Sequence, residues 1–223
     1  RIVNNKVKGS RNMKINSILS VVLVSVFTFS TAYADKPVAI SKADGPNSLE
    51  IGISVGSGDV MFMRNQNNSN TVNPAFAKTS RPCPPFCVQP MQLRPGIETI
   101  GEQEIIHYAV MMSKGQKMPD GSEIMVIDSR TPDWVAKGMI PGAVNIPWTH
   151  LSEAKGADPI SIAEIMTDKF GAKEQNGLFY FDDAKTLVMY CNGMWCGQSP
   201  NNIKSLLKYG YPADKIKWYR GGM

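Results

Sequence analysis

The sequence predicts an α/β fold in which a mainly parallel sheet carries helices on both faces and is preceded by a small β-hairpin. Two observations predict the sheet. From residue 97 onward, short apolar runs alternate with segments whose apolar residues recur at helical spacing, an order typical of parallel strands joined by helices. The apolar runs are also nearly continuous, as expected for strands that are buried on both faces.

Strands and helices alternate through this region. The predicted strands are IMVIDSR at 124–130, AVNIP at 143–147, TLVMYC at 186–191 and IKWYRGG at 216–222. The predicted helices are at 99–115, 131–138, 161–171 and 199–210. Cap residues support these helices, because Ser and Thr oxygens satisfy the free N–H groups of a first turn. The predicted N-caps are Thr99, Thr131, Ser161 and Ser199, and Glu102 and Glu164 complete two capping boxes.

The chain before this region differs in composition and in periodicity. SLEIGISVGSGDVMFMRN at 48–65 contains two short alternating runs around a Gly-Ser-Gly turn, which predicts a β-hairpin. The stretch that follows, up to residue 96, is rich in Asn, Ser and Pro without sustained periodicity, so we expect an irregular connector. Cys83 and Cys87 lie in this connector.

The N-terminus has the pattern of a secretory signal peptide, with a basic start at Met13, an apolar run over 18–30 and a small-residue site ending at Ala34. The run is shorter than the ~20 residues that cross a bilayer, so we expect cleavage and no stable membrane insertion afterwards. The protein is then exported, to the periplasm if its source is a Gram-negative bacterium. The predicted parts are upstream residues and signal peptide at 1–34, an extension at 35–96 and the main domain at 97–223.

Charge argues against one class of partner. The chain has a net charge of +5 and a pI near 9.0, but its first 34 residues hold five basic residues and no acidic one. The rest of the chain carries 19 basic and 19 acidic residues. Such a balanced domain has no excess of the basic charge that nucleic acid or anionic lipid attracts, so no nucleic-acid partner is expected.

Cys191 is the candidate nucleophile. In open α/β sheets ligands bind beyond the carboxyl ends of the strands, and TLVMYC delivers Cys191 to that edge, before the loop NGMWCGQ and a helix. Loop N–H groups and the positive end of the helix would lower the thiol pKa from its usual value of about 8.5. Gly193 and Gly197 would let the loop curl around an anion such as thiosulfate, persulfide or phosphate. The alternative is a buried cysteine with a packing role alone.

Four motifs follow one another along the main domain: VIDSR at 126–130, KGMIPGAVNIP at 137–147, VMYC at 188–191 and KYGYPADKIKWYRGG at 208–222. Together they resemble the rhodanese family over about residues 97–222. The resemblance implies a rhodanese-like sheet with Cys191 as the sulfur-accepting nucleophile. It implies a cradle of backbone donors formed by Asn192, Gly193, Met194, Trp195, Cys196 and Gly197. It also implies site-rim or structural roles for Asp128, Arg130 and Ser199.

The loop departs from the family pattern. The family commonly has six steps from this Cys to the next Ser, whereas Cys191 and Ser199 are eight apart, so we expect an enlarged or reshaped pocket. The usual His of the Ile-Pro-Gly-Ala segment is Met139, at a mainly structural position. The loop has no Arg to clamp a phosphate, which disfavours phosphatase activity. The family normally continues into a last helix after the Gly-Gly pair, so a truncated C-terminus is expected.

The other cysteines have more than one interpretation. Cys196 is either a resolving thiol, which forms a disulfide with Cys191, or a small residue that the turn requires. Cys83 and Cys87 are interpreted first as a structural disulfide, because exported thiols meet an oxidising environment. A redox pair that reaches Cys191, or half of a soft-metal site, are the alternatives.

The resemblance implies an enzyme, a thiosulfate sulfurtransferase of the rhodanese type. Cys191 would take sulfur from a small anionic donor such as thiosulfate and pass it, as a persulfide, to a thiol or cyanide-like acceptor. These steps need no cofactor, and neither His107 nor His150 supports a metal site. One alternative is an exported thiol-disulfide oxidoreductase that uses Cys191 and Cys196, and another is a non-catalytic rhodanese-like binding module. A protein partner for sulfur or redox exchange is compatible with each.

Overall fold

The structure is a computed structural model that describes residues 50–55, 58–63, 67, 69 and 81–223. In the two N-terminal strands, Val60 and Phe62 are the residues whose side chains are described. The predicted signal peptide, the residues upstream of it and the first part of the predicted extension lie outside the described residues. Within the described ranges, no helix combines the length and the hydropathy of a membrane span.

The described part of the chain contains nine strands and four α-helices. The strands are β1 (Glu50–Val55), β2 (Gly58–Met63), β3 (Glu98–Ile100), β4 (Ile124–Asp128), β5 (Val144–Asn145), β6 (Lys173–Gln175), β7 (Leu178–Tyr180), β8 (Thr186–Tyr190) and β9 (Ile216–Tyr219). The helices are α1 (Glu102–Ser113), α2 (Pro132–Val135), α3 (Pro159–Glu164) and α4 (Gln198–Lys208). A π-helical turn at Ile165–Lys169 extends α3, and short 3-10 turns lie at Trp148–His150, Glu153–Lys155 and Ala213–Lys215.

Five strands form the central sheet, in the order β3-β9-β8-β4-β5, and every neighbouring pair is parallel. The predicted parallel sheet is therefore confirmed. β8 lies in the middle, and all five of its residues are buried. A strand in that position has a face against each layer of helices, which is why its apolar run is continuous.

Two apolar clusters cover the two faces of the sheet, which confirms the predicted helical layers. On one face, α3 and α4 pack on Leu187, Met189 and Trp218. On the other face, α1 packs on Val188 and Tyr190. Successive side chains of a strand point to opposite faces, so β8 contributes to both clusters. Complete burial of a side chain such as Leu187 stabilises the fold by about 1.5–3 kcal/mol.

The predicted N-terminal hairpin is confirmed. β1 and β2 pair in antiparallel fashion, from Glu50 opposite Met63 to Val55 opposite Gly58. Phe62 is half-buried and packs against the cluster that α1 forms with the sheet. The hairpin therefore adds apolar cover to the side of the domain that carries α1.

The predicted start of the first helix is wrong. Thr99 is part of β3 and pairs with Trp218 of β9, so α1 begins only after Gly101. The backbone N–H of Gly101 donates to Glu104 Oε2 at 2.9 Å, which makes Glu104 the capping residue in place of Glu102. Pairing with a distant strand overrides the local capping signal at this edge of the sheet.

Two further N-caps differ from the prediction, whereas Thr131 is confirmed as the residue before α2. α3 begins after Asp158, whose carboxylate accepts from the Ser161 N–H at 3.4 Å, so Ser161 is not the cap and Glu164 completes no capping box. α4 begins at Gln198, which places Ser199 inside its first turn. The Ser199 hydroxyl does not cap the helix because it is fully buried and bonds to other partners.

Apolar periodicity did not predict the hairpin that β6 and β7 form. Its turn is Asn176-Gly177, and both residues have positive φ, of 54° and 78°. Two central residues with positive φ are typical of the tight turn that an Asn-Gly pair favours. Turn chemistry could therefore have found this element where apolar periodicity did not.

Candidate active site

Cys191 lies immediately after β8, at the carboxyl edge of the central sheet. Its side chain is free and only 2% of the residue is exposed. Two backbone hydrogen bonds hold this point, from Ser129 N–H to Tyr190 O at 3.0 Å and from Met223 N–H to Cys191 O at 3.1 Å. The backbone that carries the sulfur is thus held by two neighbouring segments, the one after β4 and the C-terminal one.

One polar partner of the Cys191 sulfur is Ser199. Its hydroxyl donates to Cys191 Sγ at 3.1 Å, and the same oxygen accepts from Trp218 Nε1 at 3.1 Å. The sequence predicts Ser199 as an N-cap with a site-rim or structural role. The structure instead places it beneath the sulfur, in the interior, with no part of its surface exposed.

The surroundings lower the pKa of Cys191. Burial alone raises this pKa, because it disfavours the thiolate. Hydrogen bonds from the Cys196 thiol, from the Ser199 hydroxyl and from the backbone N–H groups of Ser199 and Asn192 outweigh burial and bring the pKa to about 7. A large fraction of Cys191 is then thiolate at neutral pH, which is the nucleophilic form.

The pKa of Cys196 moves in the opposite direction. Its hydrogen bond to Cys191 raises this pKa, and burial raises it further. Cys196 is free and 3% exposed, and its sulfur also lies 3.6 Å from Gln198 Oε1. Of the two loop cysteines, Cys191 is therefore the one that ionises more readily.

The loop between Cys191 and α4 closes as a tight turn. The Cys196 N–H donates to Gly193 O at 2.9 Å, so this N–H group is used within the turn. Gly193 has a φ of +135°, and Gly222, with a φ of +73°, packs on its backbone. A Cβ on Gly222 would lie 2.2 Å from Gly193 N. The extra residues of the loop are accommodated only because this neighbour has no side chain.

The remaining loop residues lie in different places. Asn192 contributes its backbone N–H to the Cys191 sulfur. Met194 is 47% exposed, and its carbonyl accepts from the Gln89 N–H at 2.7 Å. Trp195 is half-buried under the connector. A cradle formed by the whole loop stays a prediction, because these contacts place only the N–H of Asn192 at the sulfur.

Asp128 and Arg130 form a buried ion pair, with Nη2 and Oδ2 separated by 2.6 Å and both side chains inaccessible. Tyr190 donates to Asp128 Oδ2 at 2.9 Å, and Arg130 donates to Gly138 O at 2.6 Å. Burial lowers the pKa of Arg130, but its bonds to Asp128 raise it above the usual range. The pair links β4 to β8 and to the segment after α2. Of the two predicted roles, site rim or structure, these contacts favour the structural one.

The connector covers one side of the loop. Cys83 and Cys87 form a disulfide, and within its ring Phe86 meets the edge of Trp195 at a centroid distance of 6.1 Å. The Arg81 guanidinium lies 4.5 Å from the centre of the Trp195 ring. These contacts favour the interpretation of Cys83 and Cys87 as a structural disulfide.

A cavity of about 360 Å³ separates the connector from α4. Gln89 and Arg94 line it from one side, and Gly197, Asn201 and Lys204 from the other. Cys191 is not part of its wall. The cavity therefore adjoins the candidate site on the far side of the loop rather than opening on the sulfur.

Two site residues have no counterpart in the sequence predictions. Trp218 orients Ser199, and Arg220 donates to Gln89 O at 2.9 Å, which fastens the connector. Neither carries a local signal, because each is recognised only by a partner far away in the chain. His107 lies in α1 and His150 in a 3-10 turn. The described residues contain no cluster of three or more His, Cys, Asp or Glu suited to a metal ion.

The fold resembles solved single-domain sulfurtransferases at low identity. A human single-domain sulfurtransferase is 21% identical, covering 56% of this chain and 90% of that chain, with a TM-score of 0.32. A single-domain sulfurtransferase from Saccharomyces cerevisiae is 16% identical, covering 57% and 85%, with a TM-score of 0.33. A Rhodopseudomonas palustris protein of unknown function, described as a possible tyrosine phosphatase, is 20% identical, covering 58% and 79%, with a TM-score of 0.33.

The family is established by its sequence model. A comparison with curated proteins found no significant match. The model of the rhodanese-like domain matches residues 112–223, about half of the chain. The matched segment runs from the end of α1 to Met223 and includes the Asp128–Arg130 pair, Cys191 and the loop that follows it. This chain belongs to the rhodanese-like domain family.

Proposed function

We propose that the protein is a sulfurtransferase that carries sulfane sulfur on Cys191 as a persulfide. The observation that carries this proposal is the 3.1 Å hydrogen bond from Ser199 Oγ to a buried Cys191 sulfur whose pKa is near 7. Membership of the rhodanese-like family supports a sulfurtransferase-like function in general. The position of the thiol at the edge of a parallel sheet fits a site for a small anion.

The reaction needs two displacements at sulfur. The Cys191 thiolate attacks the outer sulfur of thiosulfate, the sulfur-sulfur bond of the donor breaks, and sulfite leaves with the bonding electron pair. Cys191 then holds a persulfide, whose terminal sulfur carries the negative charge. A thiophilic acceptor such as cyanide or a thiol attacks that terminal sulfur and restores the Cys191 thiolate. Both steps are balanced without a cofactor.

Each neighbour has a separate part in this proposal. Ser199 and the backbone N–H of Asn192 stabilise the anionic sulfur by charge-assisted hydrogen bonds. The loop from Asn192 to Gly197 would enclose the donor and the persulfide. Asp128 and Arg130 maintain the strand ends on which the site is built. Export of the protein and the identity of its acceptor are also proposals, which rest on the sequence pattern of the N-terminus and on the chemistry of a persulfide.

The test is thiosulfate:cyanide sulfur transfer by pre-reduced protein. We expect the wild type to produce thiocyanate and to gain the mass of one sulfur atom on Cys191 when cyanide is omitted. Cys191→Ser should fall to the uncatalysed background while it keeps the wild-type urea midpoint. Ser205→Ala, a serine change on the outer part of α4, is the matched control and should retain activity. A reactive Cys191 that never acquires sulfur would contradict the proposal and favour a binding module.

A further inference from the structure

We propose that Cys196 resolves the Cys191 persulfide, so that the protein also cleaves thiosulfate reductively to sulfite and hydrosulfide while Cys191 and Cys196 become a disulfide. This activity rests on the proposed function, because it starts from the same persulfide. It differs in its product, which is hydrosulfide rather than a sulfurated acceptor.

The two cysteines lie in one turn. Cys191 Sγ lies 3.5 Å from the backbone oxygen of Cys196, and the Cys196 side chain lowers the pKa of Cys191. The bond from Cys196 N–H to Gly193 O, at 2.9 Å, closes the turn that brings them together. Both residues are buried, with 2% and 3% exposure, and both are free. A thiol held in the same turn is positioned to attack the inner sulfur of a persulfide on Cys191.

The chemistry of the pair fits a division of roles. Cys191 is the thiol that ionises near neutral pH, whereas the raised pKa of Cys196 keeps that thiol protonated. Cys191 is therefore the cysteine that takes sulfur from the donor. The proton of Cys196 remains available for the group that leaves in the second step.

The second step is balanced within the protein. The terminal sulfur of the persulfide takes the Cys196 proton, and the Cys196 thiolate formed in this way attacks the inner sulfur. A bond forms between the two cysteine sulfurs, and the bond to the terminal sulfur breaks. The terminal sulfur leaves with the electron pair and with the Cys196 proton, as hydrosulfide. Two cysteine thiols are oxidised, and one sulfane sulfur of thiosulfate is reduced. An external dithiol is needed only to reduce the disulfide before the next turnover.

Burial favours this internal route. An external thiol would have to enter the protein to reach the Cys191 sulfur, which is almost inaccessible. Cys196 is already inside and close in the chain. Intramolecular attack by a correctly placed group has a large effective concentration. Acceptors that are small, such as cyanide, would still compete for the terminal sulfur of the persulfide.

The experiment is a single turnover of pre-reduced protein with thiosulfate and no external thiol. We expect about one hydrosulfide and one sulfite per chain, loss of two free thiols, and a Cys191–Cys196 disulfide in the peptide map. In Cys196→Ser, hydrosulfide should fall by about tenfold or more and the persulfide should accumulate on Cys191. That variant should still transfer sulfur to cyanide, at a lower rate because the Cys196 side chain lowers the pKa of Cys191.

The outcomes separate the two proposals. A wild type that keeps its persulfide, with no disulfide and no hydrosulfide, overturns the role of Cys196 and leaves sulfur transfer intact. A wild type that forms neither persulfide nor disulfide overturns both. The peptide map of the wild type needs no variant, so a Cys196→Ser protein that fails to fold does not prevent the decision. Equal hydrosulfide release by the wild type and a folded Cys196→Ser also overturns the inference.

Discussion

Trp218 Nε1 donates a hydrogen bond to Ser199 Oγ at 3.1 Å, and Ser199 in turn donates to Cys191 Sγ at the same distance. An indole N–H can only donate, so it occupies a lone pair of the serine oxygen and leaves the serine hydrogen for the sulfur. Trp218 lies in β9 and Cys191 follows β8, which is its parallel neighbour. The electrostatics at the Cys191 sulfur therefore depend on β9, although Cys191 follows β8.

We first predict that Trp218→Phe raises the pKa of Cys191, because the ring is kept while the donor to Ser199 is lost. Loss of a buried hydrogen bond worth about 1 kcal/mol corresponds to a shift of roughly 0.7 pKa units at most. Thiolate absorbance against pH measures the change. Ser199→Ala should raise the pKa at least as much, and the double variant should add little to it.

Tyr211→Phe is the control for this prediction. It removes a buried hydrogen bond of 2.6 Å to Lys185 O in the same apolar cluster, so it should lower stability without moving the Cys191 pKa. An equal shift in both variants would show that general loosening of the core, rather than the Ser199 contact, sets the pKa.

The second prediction concerns pH. Persulfide formation requires the Cys191 thiolate, so its rate should rise about tenfold per pH unit below the pKa and level off above it. The pKa of Cys191 is lowered to about 7, which places the midpoint near pH 7. Single-turnover rates with thiosulfate at a series of pH values measure it. A midpoint near 9 would mean that the hydrogen bonds at the sulfur do not stabilise the thiolate.

The third prediction uses the contact between Gly222 and the loop. A Cβ at Gly222 would lie 2.2 Å from Gly193 N, so Gly222→Ala must displace the loop and should lower sulfur transfer by about tenfold or more. Gly121 has a similar φ of +82° with open space around the Cβ position. Gly121→Ala should therefore cost only about 1 kcal/mol of backbone strain and keep its activity. Similar activity losses in both variants would contradict a specific role for the loop contact.

The fourth prediction concerns the buried ion pair. Arg130→Met leaves the Asp128 carboxylate buried without its partner, and the free energy of unfolding should fall by about 3–5 kcal/mol. Urea denaturation measures this loss. The matched control is Lys173→Met, which removes an ion pair with Asp183 whose side chains are 64% and 66% exposed. That change should cost no more than about 1 kcal/mol, because water screens the charges.

Short-range patterns were enough to predict much of this protein. Continuous apolar runs separated by amphipathic segments predicted the parallel sheet and its helical layers, and both are confirmed. Alternation around Gly-Ser-Gly predicted the β1–β2 hairpin. The same logic placed Cys191 at the carboxyl end of a buried strand. Each of these features depends on the spacing of residues a few positions apart, which can be read directly along the chain.

The environment of the nucleophile could not be read from those patterns. Thr99 looked like a helix cap but pairs with Trp218, and Ser199 looked like a cap but bonds to Cys191. In both cases a partner that is distant in sequence offers a better hydrogen bond or better burial than the local one. The packing of Gly222 on Gly193 has the same origin. Side-chain pairing across strands is decided when the sheet assembles, because only then do buried polar groups have to find partners.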